Sequence, residues 1–133
     1  MSTGDKICEH GIWSSICVKC SNMTTKQQYK FWRILFREGC LERDGHKCVF
    51  CDATDNLDVH HITDRHEMPS GGYVMSNGIT VCAEHHLKCE AYHMVHFFHY
   101  IDNEYDENFS PSALYIKINS TFETAFNDSL NLK

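Results

Sequence analysis

Two ligand-spaced pairs, Cys48-x-x-Cys51 and Cys82-x-x-His85, constrain this chain more than any other feature. Three thiols and an imidazole at such spacings make one tetrahedral zinc site, and joining the pairs anchors everything between them at both ends. That stretch carries the remaining chemistry. His60-His61 stands in an alternating apolar and polar run, and about 25 residues later His85-His86 forms a second histidine pair. Four imidazoles therefore fall within reach of one site, a cluster that points to metal, catalysis or both.

A coarse reading of the elements puts these residues in order. Leu57 to Thr63 alternates as a short strand, Asp64 to Ser76 is a loop carrying Gly71-Gly72, and Gly78 to Cys82 returns as a second strand. A helix follows from Ala83 to about Asp102, with an apolar stripe at Leu87, Ala91, Met94, Val95, Phe98 and Ile101. Consecutive helical residues point about 100° apart, so His85 and His86 can face two different sites. In a regular strand His60 and His61 point to opposite faces, so both serve one site only if the strand ends or bulges there. Upstream, Thr24 or Thr25 caps a helix running to about Glu42 and ended by Asp44-Gly45, with Trp32, Leu35, Phe36 and Cys40 as its apolar face. Lys26, Lys30, Arg33 and Arg37 line up along one edge of that helix. Such a stripe is commonly a solvated face, but here it is the one concentration of positive charge that phosphate contact would need.

The residues from about 28 to 100 resemble the HNH endonuclease family with its ββα-metal fold. The likeness rests on Arg43-Asp44-Gly45-x-x-Cys48-x-x-Cys51, Val59-His60-His61-Ile62, Gly71-Gly72, Asn77-Gly78-Ile79 and Cys82-x-x-His85-His86-x-x-x-Glu90. It departs from many members in having histidine at positions 60 and 85, where they carry aspartate and cysteine. The resemblance implies a small α+β fold with a ββα-metal core framed by the zinc site of Cys48, Cys51, Cys82 and His85. It implies His61 as general base, His60 and His86 as holders of a catalytic divalent cation, magnesium or manganese, and Asn77 as the tie between the loop and the strand behind the base. Glu90, one turn beyond His86, is a weaker ligand or supporting group on this reading, and on spacing alone a solvated acid. The implied reaction is hydrolysis of DNA phosphodiester bonds to a 5′ phosphate and a 3′ hydroxyl, by nicking or double-strand cleavage.

The first twenty residues hold Cys8-x-His10 and Cys17-x-x-Cys20, a second Cys₃His set in a segment too short to bury a core without metal. A similar knuckle precedes HNH domains in phage-type proteins, and its thin basic content favours a cap over a DNA reader. Two structural zincs are thus expected per chain. The domain organisation reads as a zinc knuckle over residues 1–23, a nuclease domain over 24–102 and a C-terminal helical tail over 103–133. In the tail, Ser110-Pro111 opens a short helix and Ser120-x-x-Glu123 reads as the capping box of a last one. Leu114, Ile118, Phe122 and Phe126 would pack onto the domain or a partner, and truncation after about Tyr105 is expected to raise non-specific DNA binding, provided the core stays folded without the acidic tail.

The 133 residues are 42% apolar with two prolines and seven glycines, which suits one modest domain. Six of eight cysteines fall in metal-like spacings, favouring zinc over disulfides and a reducing, cytoplasmic compartment, that of the host if a phage encodes the chain. Cys40 and Cys89 are left over as small buried residues. No leader and no long apolar run is seen, so no membrane partner is expected. The net charge of −6 opposes nucleic-acid binding, but its distribution softens the objection: residues 24–47 carry six bases against three acids, and residues 101–133 carry six acids against two lysines. DNA is the expected partner. A homo-oligomer is compatible with the sequence, which does not fix the state. The competing reading is a zinc-stabilised nucleic-acid-binding module without hydrolysis; against it, His60, His61, Asn77 and His86 are all present.

Overall fold

A computed structural model describes residues 24–98, the last five by backbone alone, and 106–132. Helix α1 (Thr25–Arg43) starts at a reciprocal cap: Thr24 Oγ1 accepts from the Gln27 amide (3.1 Å) and Gln27 Oε1 accepts from the Thr24 amide (3.0 Å). Its buried residues, Gln28, Trp32, Phe36 and Cys40, recur every four positions and form one face. Strands β1 (Leu57–His61) and β2 (Gly78–Cys82) pair antiparallel, with Leu57 opposite Cys82 and His61 opposite Gly78. Helix α2 (Ala83–Phe98) follows β2 directly, and α3 (Pro111–Lys117) and α4 (Phe122–Leu130) complete a small α+β fold with four described helices and a two-stranded sheet.

Every residue of β2 is buried because helices cover it from both sides. The α1 side approaches so closely that a Cβ on Gly78 would lie 2.5 Å from Phe36 and 2.7 Å from the Cys40 sulfur; only glycine fits. Arg43 then staples the end of α1 to the sheet. Its guanidinium donates to the carbonyls of Met75 and Gly78 at 2.7 Å each and pairs in fork geometry with Asp44, whose Oδ2 accepts from the Thr80 amide.

Two sequence expectations need correction. Leu87 is not part of the buried face of α2; it is 71% exposed, while Cys89 and His93 are buried. The helix is turned so that His85 faces inward, and a residue two positions on lies about 200° around the axis from it. Thr121, not Ser120, caps α4, accepting from the Thr124 amide at 3.0 Å, while the Ser120 hydroxyl donates to the Ser76 carbonyl. The C-terminal tail packs onto the domain through Leu114, Ile118 and Phe126, as its apolar residues led one to expect. Leu114, Tyr115 and Ala125 lie in the same cluster as Ile62, Met68, Ile79 and Val81, although Phe122 stays 43% exposed.

Removing residues 106–133 should therefore abolish cooperative unfolding instead of trimming an appendage. Leu114→Ala alone, at a fully buried position, should cost about 2–5 kcal/mol. Denaturant melts followed by circular dichroism check both.

Candidate metal centre and cleft

The Cys48–Cys51 knuckle is a tight backbone turn in which the Cys48 amide donates to the Ala53 carbonyl (2.8 Å) and Asp52 takes a positive φ of 60°. The Val49 amide donates to the Thr80 carbonyl at 3.1 Å, which holds the knuckle against β2. Cys82 ends that strand and His85 lies in the first turn of α2, so three separate elements deliver four ligand atoms to one point. All lie within 4.8 Å of one another. The Cys51 and Cys82 sulfurs are 3.7 Å apart, Cys48 Sγ is 3.5 Å from His85 Nδ1, and Cys82 Sγ is 3.2 Å from it. A tetrahedral zinc with sulfur at about 2.3 Å and nitrogen at about 2.0–2.1 Å sets those edges at roughly 3.7 and 3.5 Å. The donor set and the spacing both fit, so this Cys₃His cluster could hold a metal ion such as zinc. Burial works to raise the Cys48 thiol, but surrounding backbone N–H groups, Phe50 among them, prevail and lower it toward the thiolate that a metal needs. Phe50 and Phe109, whose rings are 4.7 Å apart, both stack against the ligand ring, at 5.3 and 5.9 Å, and so help to orient His85.

One residue on, His86 turns to a second cluster. Glu90 Oε1 lies 3.2 Å from His86 Nε2 and 3.3 Å from His60 Nδ1. Ligands about 2.0–2.2 Å from a shared cation stand roughly 3.0–3.4 Å apart, so the carboxylate and both imidazoles fit one divalent ion. His60 is 2% exposed, burial lowers its pKa, and its Nε2 is buried with no hydrogen-bond partner among the described residues. Burial thus works against a charge on this ring, one nitrogen of which faces Glu90 while the other is left unpartnered among those residues. The hydrogen bond to His60 holds Glu90 ionised, its pKa down to about 2. Asp58 Oδ2 is 3.5 Å from the other nitrogen of His86, and His93 packs its ring 5.0 Å from His60 while donating to the Ile62 carbonyl at 3.2 Å. Spacing did not single out Asp58, because its contact crosses from β1 to α2.

His61 takes the opposite face of β1. The strand has no bulge; it ends at His61, whose ring stacks on Phe36 at 5.2 Å and hydrogen-bonds the Gly72 backbone. Burial lowers its pKa, outweighing that hydrogen bond. Asn77 does not touch His61. Fully buried, its Oδ1 accepts from the Thr63 amide (2.8 Å) and the Tyr115 hydroxyl (2.7 Å), and its Nδ2 donates to the carbonyls of Thr63 and Gly71 (3.1 Å each). Gly71 allows this approach, since a Cβ there would lie 2.8 Å from Asn77 Nδ2. Asn77 thus fixes the loop that carries Gly72, and through it the partner of His61.

Around the end of β1 opens a cleft of about 670 Å³ whose walls include His60, His61, His86, Glu90, Arg33 and Arg65. Lys26, Lys30, Arg33 and Arg37 are all exposed along α1, and Arg33 brings that basic edge to the cleft. Arg65, in the loop after β1, went unnoticed in the sequence because it has no charged neighbour of its sign. His66 pairs with Asp64 at 2.6 Å, and Cys40 and Cys89 are buried thiols raised by desolvation to about 11 and about 12. The Cys8, His10, Cys17 and Cys20 set lies outside the described residues. No family model, curated protein or solved structure matches the chain. Among the described residues no helix is long and apolar enough to cross a membrane.

Elemental analysis of the purified chain should find zinc. Cys48→Ala should remove the metal of this cluster and lower the thermal midpoint sharply, since the lost ligation is worth on the order of several kcal/mol of folding free energy.

Proposed function

We propose that the chain is a metal-dependent endonuclease of the HNH type that hydrolyses DNA phosphodiester bonds. The observation that carries the reading is the meeting, at the end of one strand, of two unlike groups in one cleft: His61 alone on one face, and the His60, His86 and Glu90 cluster on the other. Phosphodiester hydrolysis needs that division, because a water must lose a proton while negative charge grows on the phosphate.

His61, a neutral imidazole held by Phe36 and Gly72, takes the proton from the attacking water. The water oxygen bonds to phosphorus as the bond to the 3′ oxygen breaks, giving a 5′ phosphate and a 3′ hydroxyl protonated from solvent. His60, His86 and Glu90 would hold a magnesium or manganese ion, which supplies charge neutralisation at the phosphate and the leaving oxygen. Arg33 and Arg65 hold the flanking backbone in the cleft. The reading includes a second structural zinc on Cys8, His10, Cys17 and Cys20, and a phage setting for which the N-terminal knuckle is the support.

His61→Ala should keep divalent-metal and DNA binding while cleavage of DNA, single-stranded or plasmid, falls about 10²–10⁴-fold, the usual worth of a positioned base. His86→Ala should weaken metal binding instead, with part of the activity returning at higher manganese. Rescue of His61→Ala by metal would reverse the roles. Nucleic-acid binding without metal-dependent cleavage by the parent chain would leave a non-catalytic binding module.

Reversing two charges of the Lys26, Lys30, Arg33 and Arg37 edge should weaken DNA binding across all sequences and flatten its salt dependence by about 0.9 in log–log slope for each phosphate no longer neutralised. Titrations at several salt concentrations read this directly.

A further inference from the structure

Beside the cleft stands an aromatic trio that neither metal cluster uses. Tyr29 stacks on Tyr73 with centroids 5.5 Å apart, and Trp32 packs against both at 5.4 and 5.7 Å. Trp32 is the floor, 7% exposed, while Tyr29 is 40% exposed and Tyr73 forms part of the cleft wall. Covering a tryptophan does not require leaving a tyrosine this open.

We infer that Tyr73 and Tyr29 form a stacking platform for an unpaired nucleobase, so that the substrate class of the cleft is single-stranded DNA. The inference rests on the nuclease reading and narrows it.

Placement supports it first. Tyr73 follows Gly72, whose backbone hydrogen-bonds His61 and whose Cα lies so near that an added Cβ would stand 3.4 Å from His61 Nε2. A base on the Tyr73 ring therefore brings its own sugar and phosphate toward His61. Charge supports it next. Arg33 follows Trp32 in α1 and lines the cleft, Lys26 and Lys30 flank Tyr29 on the exposed side of the helix, and Arg65 adds a cation from the loop after β1. Rings for base faces and cations for phosphates are the two contacts by which single strands are held without sequence preference. A continuous duplex could use only the second, because its base faces are covered by their neighbours and proteins read it from the groove edges.

The test uses the full-length zinc-loaded chain carrying His61→Ala, in magnesium so that the cleft acids are offset while the DNA stays uncut, and a 2-aminopurine-labelled single strand alongside the same sequence as duplex. Tighter binding of the single strand with quenched 2-aminopurine emission is the expected result. Tyr73→Leu and Tyr29→Leu should each weaken single-strand binding by roughly 5- to 150-fold, the range for loss of one stacked base, while leaving duplex binding unchanged. Tyr73→Phe should bind like the parent. Tyr29 is exposed on α1, so its leucine variant stands even if Tyr73→Leu does not fold. Single-strand affinity unchanged by the leucine substitutions, or equal affinity for single strand and duplex, overturns the platform while the nuclease reading stands. Failure to bind either form of DNA overturns both.

Discussion

The convergence of Cys48, Cys51, Cys82 and His85 is the constraint on which the rest of the structure depends, because it acts at the joint between β2 and α2. A helix leaving a strand can rotate about its own axis, and nothing in the short sheet forbids it. Holding His85 beside the Cys82 sulfur removes that freedom. Once the rotation is fixed, His86 points about 100° away and Glu90 follows one turn further on the same side. Both meet His60, whose position is set by pairing with Ile79 across the sheet. The second cluster is thus a geometric consequence of the first. The exposure of Leu87 is the same rotation seen from outside.

A second constraint acts at the other end of the sheet, and it is polar. The Asn77 amide fills its hydrogen-bonding capacity with Thr63, Gly71 and Tyr115, inside a core where an unpaired amide would cost about 1–3 kcal/mol. Because Tyr115 belongs to α3, the loop between the strands is held by residues far along the chain. The Ser76 and Ser120 contacts repeat the pattern, with the Ser76 hydroxyl donating to Asp128 and its carbonyl accepting from Ser120. The C-terminal helices are therefore part of the frame that keeps Gly72 beside His61.

These two constraints explain what could be read from the sequence. Ligand spacing made the Cys₃His cluster legible, alternation made β1 legible and the return after the glycine-bearing loop β2, and the Thr24 cap and Asp44 stop bounded α1 to within a residue. Cys40 and Cys89, left outside the metal-like spacings, are both buried. What escaped were contacts between distant segments whose residues look ordinary in isolation. Tyr115 is one tyrosine among six until it meets Asn77, and Asp58 is a polar strand residue until α2 brings His86 to it. Leu87 misled because apolar periodicity assumes that apolar residues choose the buried face. Here a histidine ligand chose it.

Electrostatics gives the cleft a sign problem that bears on the proposed chemistry. Asp58, Asp64 and Glu90 line it against Arg33 and Arg65, and Glu90 stays ionised to about pH 2. A phosphate entering beside a carboxylate at about 6 Å meets roughly 3 kcal/mol of repulsion at an effective dielectric near 20. Two arginines on a chain of net charge −6 cannot turn such a cleft into a strong anion site. A divalent ion at His60, His86 and Glu90 would offset the acids from within, where screening by salt is weakest. On the proposed reading, the same carboxylates that repel bare polyanion concentrate the cation that makes it welcome. On that same reading the basic edge of α1 would have a separate duty: to draw the strand along the outside of the molecule, away from the acids, to where Arg33 meets the cleft.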